Sequence, residues 1–354
     1  MPSIFPLTRM RGLGVSAPTW SGPRSDHFDG ERFHHAIPVE KSAADVIRWA
    51  RTRSAAAWPE RIEDPIPVTP ATRIASGELV ITPVNHATVL VQIDGLNLLT
   101  DPLWSQRCSP SQWAGPARVH APAVSLEDLP PIDAILVSHN HYDHLDLPTL
   151  TALEAVHAAP VITPLNNAYI IRRAGVPAGR IVELDWWQST TIGGATITAT
   201  PAQHWSRRGL TDTRKSLWSG FMIAAGGASV FFAGDSGYGS LFRRIHDRLG
   251  APDVALLPIG AYEPRWFMKA QHMNPTEAVQ AMLDLRASTA LGIHWGTFRL
   301  TDEAREAPLQ ALAEARETKG LTADQFAAAV PGTVYPIRVP ATAGQDDASA
   351  ASMA

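Results

Sequence analysis

The 354-residue chain has a single cysteine, Cys108, so it can neither close an internal disulfide nor build a thiolate metal cluster. Any metal it binds must rest on histidine and carboxylate. No stretch reaches the ~18 consecutive apolar residues of a membrane span, and the amino-terminal MPSIFPLTRMRGLGVS lacks the apolar run of a signal peptide. A soluble cytoplasmic protein is therefore expected, with peripheral membrane contact left open. Positive charge is not in surplus either: 30 Lys+Arg stand against 34 Asp+Glu, a formal net charge of −4, which argues against a general nucleic-acid binder. No glycine-rich phosphate loop follows the first strand, which weighs against a dinucleotide-binding fold.

What is present suits a large folded body. Hydrophobic residues make up 45% and charged residues 18%, enough for a sizeable core. The 29 prolines and 25 glycines imply many turns between short elements, so an all-helical bundle is not expected. Residues 1–70 read as an amino-terminal arm, a short helix over Ala43 to Thr52 capped by Ser42, and a linker marked by Pro59, Pro65, Pro67 and Pro70, all packed on the body. From Glu78 the pattern turns to strands: Leu79 to Ile81, Thr88 to Ile93 and Leu96 to Thr100, with Asp94-Gly95 as a hairpin turn. Further strands are expected at Ala134 to Ser138, Val161 to Thr163, Ile181 to Leu184, Thr196 to Thr200, Ser219 to Ala225, Ser229 to Ala233 and Val254 to Pro258. Helices are expected near 148–157, with Asp146 as its cap, and near 167–174, 239–249 and 275–286. The body is taken as 71–340, and the small polar residues 341–354 as a disordered tail. Interspersed strands and helices indicate a layered α/β fold.

One cluster carries chemistry. After the strand ending at Ser138 comes His139-Asn140-His141-Tyr142-Asp143-His144, and a chance match to this pattern anywhere in such a chain is about one in a thousand. In an extended segment His139 and His141 project to the same side, and a turn into the next helix can swing Asp143 and His144 toward a neighbouring position. Three more candidates each sit just past an apolar or alternating run: His204 in TPAQHWS, Asp235 in FAGDSGY and His294 in LGIHWGTF. Strands of one layer ending on one rim would bring them together. Five histidines and two aspartates are too many for one tetrahedral ion and enough for two, and this donor set suits zinc or a similar first-row ion.

SHNHYDHLD with the later His204, Asp235 and His294 resembles the metallo-β-lactamase superfamily of dinuclear hydrolases. Within it, QHWS, FFAGDSGY, IGAYEPRWFMKAQHMNP and IHWGTF resemble the N-acylphosphatidylethanolamine-hydrolysing phospholipase D branch, over about His27 to Ala307. The resemblance implies an αββα four-layer sandwich with the metal site on one edge, and makes 71–340 a metallo-β-lactamase-like catalytic domain. It assigns one Zn2+ to His139, His141 and His204, a second Zn2+ to Asp143, His144 and His294, and the bridging role to Asp235. It further implies a zinc-dependent phosphodiesterase that releases N-acylethanolamine and phosphatidate, as a homodimer, with Asp143 and His272 as catalytic residues. Gln271 and His272 match positions near substrate, and Arg265 and Trp266 offer a cation beside apolar surface for a lipid phosphate.

Asp101 and His86 are candidates to orient metal ligands, with ordinary structural hydrogen bonding the competing role. Trp205 and Trp295 directly follow ligand candidates and are expected to wall the pocket, whereas Cys108 reads as packing. The rival enzymatic reading is a metal-dependent hydrolase of a small soluble ester, lactone or phosphodiester on the same fold. A di-iron redox role is disfavoured by His141, where such relatives place a carboxylate. A closed, purely structural zinc site is the rival of another class.

Overall fold

The computed structural model describes residues 16–35, 37 and 41–339, so the first part of the expected arm and the tail 341–354 lie outside the described residues. Ser42 and Asp45 cap each other's backbone to start helix Ala43–Thr52 (α1). Leu79–Asn85 (β1), Thr88–Ile93 (β2) and Leu96–Thr100 (β3) form an antiparallel meander. Asp94 and Gly95 both take positive φ at its second turn, as a tight hairpin requires. Ala134–Leu136 (β4), helix Leu147–Val156 (α2), Val161–Pro164 (β5), the short helix Ala168–Ile171 (α3) and Ile181–Leu184 (β6) then add parallel strands.

The second half repeats this plan. Ser189–Ile192 (β7), Ala195–Thr200 (β8), Gly220–Ala225 (β9) and Ala228–Phe232 (β10) run antiparallel. Helix Leu241–Leu249 (α4), Val254–Pro258 (β11), the one-turn helix Arg265–Met268 (α5), helix Pro275–Leu285 (α6), Thr289–Ile293 (β12), helix Ala307–Lys319 (α7) and Phe326–Ala328 (β13) follow, with parallel pairing from β10 to β13. Tyr335–Pro336 (β14) returns to the first sheet beside β1. The sheet orders are β14-β1-β2-β3-β4-β5-β6 and β13-β12-β11-β10-β9-β8-β7.

Alternation along the strands sets the layering. Val230, Phe232, Val254 and Leu256 pack inward with Ile81, Val91 and Leu98 of the other sheet, making a core between the two sheets. The intervening Phe231, Ala255 and Leu257 face outward and pack with Phe242 and Ile245 of α4, Val279 and Met282 of α6 and Leu312 of α7. Leu99, Ile135 and Val161 do the same on the first sheet, against Leu150 and Leu153 of α2 and Ile170 of α3. This is the expected αββα sandwich. Each fully buried side chain of this kind contributes about 1.5–3 kcal/mol, so the site rests on a rigid scaffold.

The arm also lies on the body: Phe28 and Phe33 are buried against Ala202, Leu217 and Trp218. In α1, Trp49 stacks on Phe267 and Arg48 lies over Trp266. The linker is tied by Ile62 N–H to the Val119 carbonyl, Val68 N–H to the Ala123 carbonyl and Trp58 Nε1 to the Glu303 carbonyl. Asp146 occupies the N-cap position of α2 but does not cap its backbone; its carboxylate accepts from the Ser105 backbone and hydroxyl and from the Thr149 hydroxyl. Among the described residues, no helix is long and apolar enough to cross a membrane.

Candidate metal centre

The seven candidate ligands lie on loops at one end of the sandwich. His139 to His144 follow β4, His204 follows β8, Asp235 follows β10 and His294 follows β12. The N–H groups of His144 and Leu145 both bond the His141 carbonyl, and this turn swings Asp143 and His144 away from His139 and His141, as the spacing suggests. Gly234 lets the chain enter the site: at φ +58°, a Cβ there would stand 2.7 Å from Ser138 Cβ. Asp101, His86 and His294 themselves have φ of +34°, +39° and +62°, a left-handed backbone that non-glycine residues keep only where surroundings enforce it.

The donors form two groups. His139 Nε2 lies 2.9 Å from His141 Nδ1, and His204 Nε2 lies 3.2 Å from that same nitrogen. Next to them, His294 Nε2 is 3.2 Å from His144 Nε2 and 3.3 Å from Asp143 Oδ2, while His144 Nε2 is 3.4 Å from Asp143 Oδ2. Asp235 stands between the groups. Its Oδ2 is 3.2 Å from His144 Nε2, 3.7 Å from His204 Nε2 and 3.9 Å from His139 Nε2, and its Oδ1 is 3.2 Å from His294 Nε2.

Hydrogen bonds behind the rings fix which nitrogens face inward. Asp101, fully buried, accepts from Ser138 N–H at 2.7 Å, from Ser138 Oγ at 2.6 Å and from His144 Nδ1 at 2.7 Å. With its proton given to Asp101, Ser138 Oγ accepts from His139 Nδ1 at 2.9 Å. His204 Nδ1 donates to the Gln271 carbonyl at 2.9 Å. The Nε2 lone pairs of His139, His144 and His204 therefore all point into the site. One proton on His141 Nδ1 can serve only one of its two neighbours, so lone pairs face each other at hydrogen-bond distance without enough protons. Bonds of ~2.0–2.1 Å to a shared tetrahedral cation give donor separations of about 3.3 Å, close to those seen. The donor set fits a pair of first-row divalent ions, and the buried Asp235 Oδ1, which lies 3.2 Å from His294 Nε2 without hydrogen-bond geometry, fits the same reading.

The charges agree. Burial pushes the pKa of His139 well below the ordinary histidine value, that of His141 down to about 3, and that of His204 down as well, so all three are neutral. Burial would also keep His144 neutral, but Asp235, Asp143 and Asp101 around it outweigh that and raise its pKa well above the ordinary value. Burial opposes charge on Asp235 too, yet His144 and its neighbours hold that carboxyl well below the usual carboxylate range. The carboxylates thus make the His144 side of the site favour positive charge, as a bound cation requires.

The remaining candidates separate. His86 belongs to the second group: its Nε2 is 3.3 Å from Asp143 Oδ2 and its ring centre 3.9 Å from that of His294. His272 is buried, with Nε2 3.9 Å from Asp235 Oδ2 and Nδ1 lacking a partner. Above these groups opens a cleft of about 650 Å³ lined by His141, Asp143, Trp205, Leu210, Gln271 and His272, among others. Trp205 walls it with its ring centre 4.8 Å from that of His141. Trp295 does not: its Nε1 donates to the Ala329 carbonyl and its ring packs on the α-helical side of the second sheet. Arg265 also turns away, donating to the Tyr262 and His272 carbonyls and to Glu277, so it braces the His272 segment. Trp266 lies under Arg48 outside the cleft lining.

Sequence reasoning missed Arg208. It is buried beneath the ligand loop, donates from Nη1 to the carbonyls of Leu145, Asn140 and His141, and its guanidinium carbon lies 3.7 Å from the centre of the Tyr142 ring. Only its place four residues after His204 hinted at this.

Comparison with known proteins meets this geometry. The model of the beta-lactamase superfamily domain matches residues 96–295. An uncharacterized protein of Mycobacterium tuberculosis is 42% identical over 250 residues, 70% of this chain and 66% of its own length, so the match spans just under two thirds of that relative. N-acyl-phosphatidylethanolamine-hydrolyzing phospholipase D 1 of Caenorhabditis elegans is 41% identical over 254 residues, 68% of this chain and 71% of its own. Among solved structures, the metallo hydrolase Igni18 of the archaeon Ignicoccus hospitalis shares the fold with a TM-score of 0.55 at 21% identity, over 74% of this chain and 100% of its own. The chain belongs to the metallo-β-lactamase superfamily, in the branch it shares with the worm phospholipase-named relative.

Proposed function

We propose that this protein is a zinc-dependent hydrolase that cleaves the phosphodiester of N-acylphosphatidylethanolamine or a related glycerophospholipid, giving N-acylethanolamine and phosphatidate. The observation that carries the reading is the convergence of five histidines and two aspartates on the floor of a largely apolar cleft. His139, His141 and His204 would hold one ion, Asp143, His144 and His294 the other, with Asp235 shared. When bound, two such ions supply a water of lowered pKa and positive charge against a phosphate. The protein's own residues do the rest. Asp101 and the Gln271 carbonyl lock ring tautomers, Asp143 is positioned by His86, and His272 Nε2 faces the floor, where burial keeps the ring neutral and it can hydrogen-bond the substrate. Met268, Leu210 and Leu300 give acyl chains an apolar wall.

The name of the worm relative supports this substrate class. The same proposal makes residues 71–340 the catalytic body carrying the 1–70 segment, and includes a cytoplasmic location and a homodimer, which fractionation and light scattering test. The decisive assay is hydrolysis of the lipid in mixed micelles. Turnover should vanish on chelation and return with zinc, and Asp143→Asn or His294→Ala should lower the rate by orders of magnitude with the fold intact. Full activity in the demetallated protein refutes the mechanism. A rate indifferent to acyl-chain length would instead favour a small soluble substrate.

A further inference from the structure

Around the ligand residues Asp143 and Asp235, four segments reach the cleft lining: 105–117 at Cys108 and Pro110, 205–211 at Trp205 and Leu210, 265–271 at Met268 and Gln271, and 298–301 at Leu300 and Thr301. Together they carry six Lys and Arg residues and no Asp or Glu, on a chain whose formal net charge is −4. Arg208 and Arg265 are turned inward onto carbonyls, whereas Arg207, Lys269 and Arg299 are exposed. Two of these segments also hold a large apolar side chain out in water. Leu210 is 82% exposed and Trp113 is 80% exposed.

Neither loop is loose at that point. Asp212 Oδ1 accepts from the backbone N–H groups of Arg208 and Gly209, and its Oδ2 accepts from Ala17 N–H of the arm. Arg107 and Gln112 exchange backbone-to-side-chain hydrogen bonds just before Trp113. Backbone bonding thus fixes each tip next to a cationic side chain. A fixed apolar tip in water is unfavourable unless something covers it. A second copy meeting this face about a two-fold axis would set arginine against arginine. An anionic lipid surface meets both features, with phosphates for the cations and acyl chains for Leu210 and Trp113.

We propose that the cleft rim is the face by which this protein docks on anionic bilayers, Leu210 and Trp113 entering the acyl boundary and Arg207, Arg299 and Lys269 meeting lipid phosphates. The inference rests on reading the cleft as a phospholipid site, because docking this face brings the cleft mouth to the membrane.

The test is co-sedimentation of the full chain with vesicles of pure phosphatidylglycerol or pure phosphatidylcholine, beside hydrolysis of a short-chain phosphodiester below its micellar concentration. The wild type should bind phosphatidylglycerol more tightly than phosphatidylcholine, and added salt should weaken that binding. Trp113→Ser should weaken it about tenfold and Arg299→Gln about fivefold, with unchanged thermal midpoints and unchanged short-chain turnover. Equal binding to both vesicle types overturns the proposal, as does wild-type binding by both variants. A variant that halves the particle mass in solution while binding vesicles normally assigns the face to self-association and also overturns it. If vesicle binding follows the expected pattern but no diester is hydrolysed, the docking face stands and the phosphodiesterase reading falls.

Discussion

Replacing Asp101 with asparagine tests how the site is built, because it changes one charge and one donor without changing volume. Asp101 takes three hydrogen bonds, from Ser138 N–H, Ser138 Oγ and His144 Nδ1, at 2.6–2.7 Å. Asparagine keeps one acceptor oxygen, and the Ser138 backbone N–H, which cannot rotate or shift its proton, claims it. The amide NH2 then faces Ser138 Oγ and His144 Nδ1 as a donor. His144 can answer only by moving its own proton to Nε2, the nitrogen that faces His294, Asp143 and Asp235. One ligand is thereby lost to the wrong tautomer. Ser138 Oγ must accept from the amide and no longer supports the His139 ring in the same way. A lost hydrogen bond to a charged group is worth about 1.5–3 kcal/mol, and changes behind a metal ligand cost about 10–100-fold in affinity or activity. The two ranges agree. The assay is zinc affinity by chelator competition, with stoichiometry by elemental analysis. Asp101→Asn should retain the ion on the His139 side more tightly than the one on the His144 side and lose 10- to 100-fold in affinity for the latter. Wild-type affinity for two ions would refute the tautomer argument.

Further outcomes follow from the same contacts. Burial disfavours charge on His27, but hydrogen bonds from its two ring nitrogens to Asp185 and Asp26 outweigh it and raise its pKa. Stability from this pair is fully present below the ordinary histidine pKa of 6.5 and is lost as pH rises through the raised one. Asp185→Asn should therefore cost about 1.5–3 kcal/mol in chemical denaturation at mildly acidic pH and much less in alkaline buffer; equal losses at both would contradict the linkage. Arg208→Leu should destabilise the fold by about 3 kcal/mol, because three loop carbonyls lose a charged donor, and should loosen zinc binding with it. Retained zinc affinity would show that Arg208 does not position the ligand loop. Cys108 is buried, and that burial raises its thiol pKa well above the ordinary value. Iodoacetamide should leave it unmodified in the native protein although it borders the cleft, and rapid labelling would count against the packing described.

Much of this architecture was legible because local signals and tertiary environment agree. The alternating Thr196 to Thr200 and the Asp94-Gly95 turn appear where the sequence places them. The seven ligands were legible because each group follows a strand, but the site joins two sheets rather than one layer: His139 to His144 follow β4 of the first sheet, and His204, Asp235 and His294 follow β8, β10 and β12 of the second. The elements that escaped had weak or competing signals. β7 is a short polar edge strand, although Gly193-Gly194 marks the hairpin that joins it to β8. β13 and β14 are too short to show alternation. α7 has a mixed surface, and its only punctuation is Pro308 at the start and Gly320 in a left-handed cap at the end. Side-chain direction was the hardest to read. Arg265 and Trp266 sit in the motif stretch nearest the site, yet backbone carbonyls, Glu277 and the α1 helix draw them away from the cleft. Trp295 follows a ligand candidate but turns into the helical layer, since the left-handed backbone at His294 reverses the alternation.

The most direct measurement is elemental analysis of the purified protein combined with X-ray absorption at the metal edge. Two ions per chain with a nitrogen-rich shell, falling toward one in His294→Ala, is the predicted result. A chain that binds no metal, or that keeps its metal when His139, His204 and His294 are all replaced, would contradict the account.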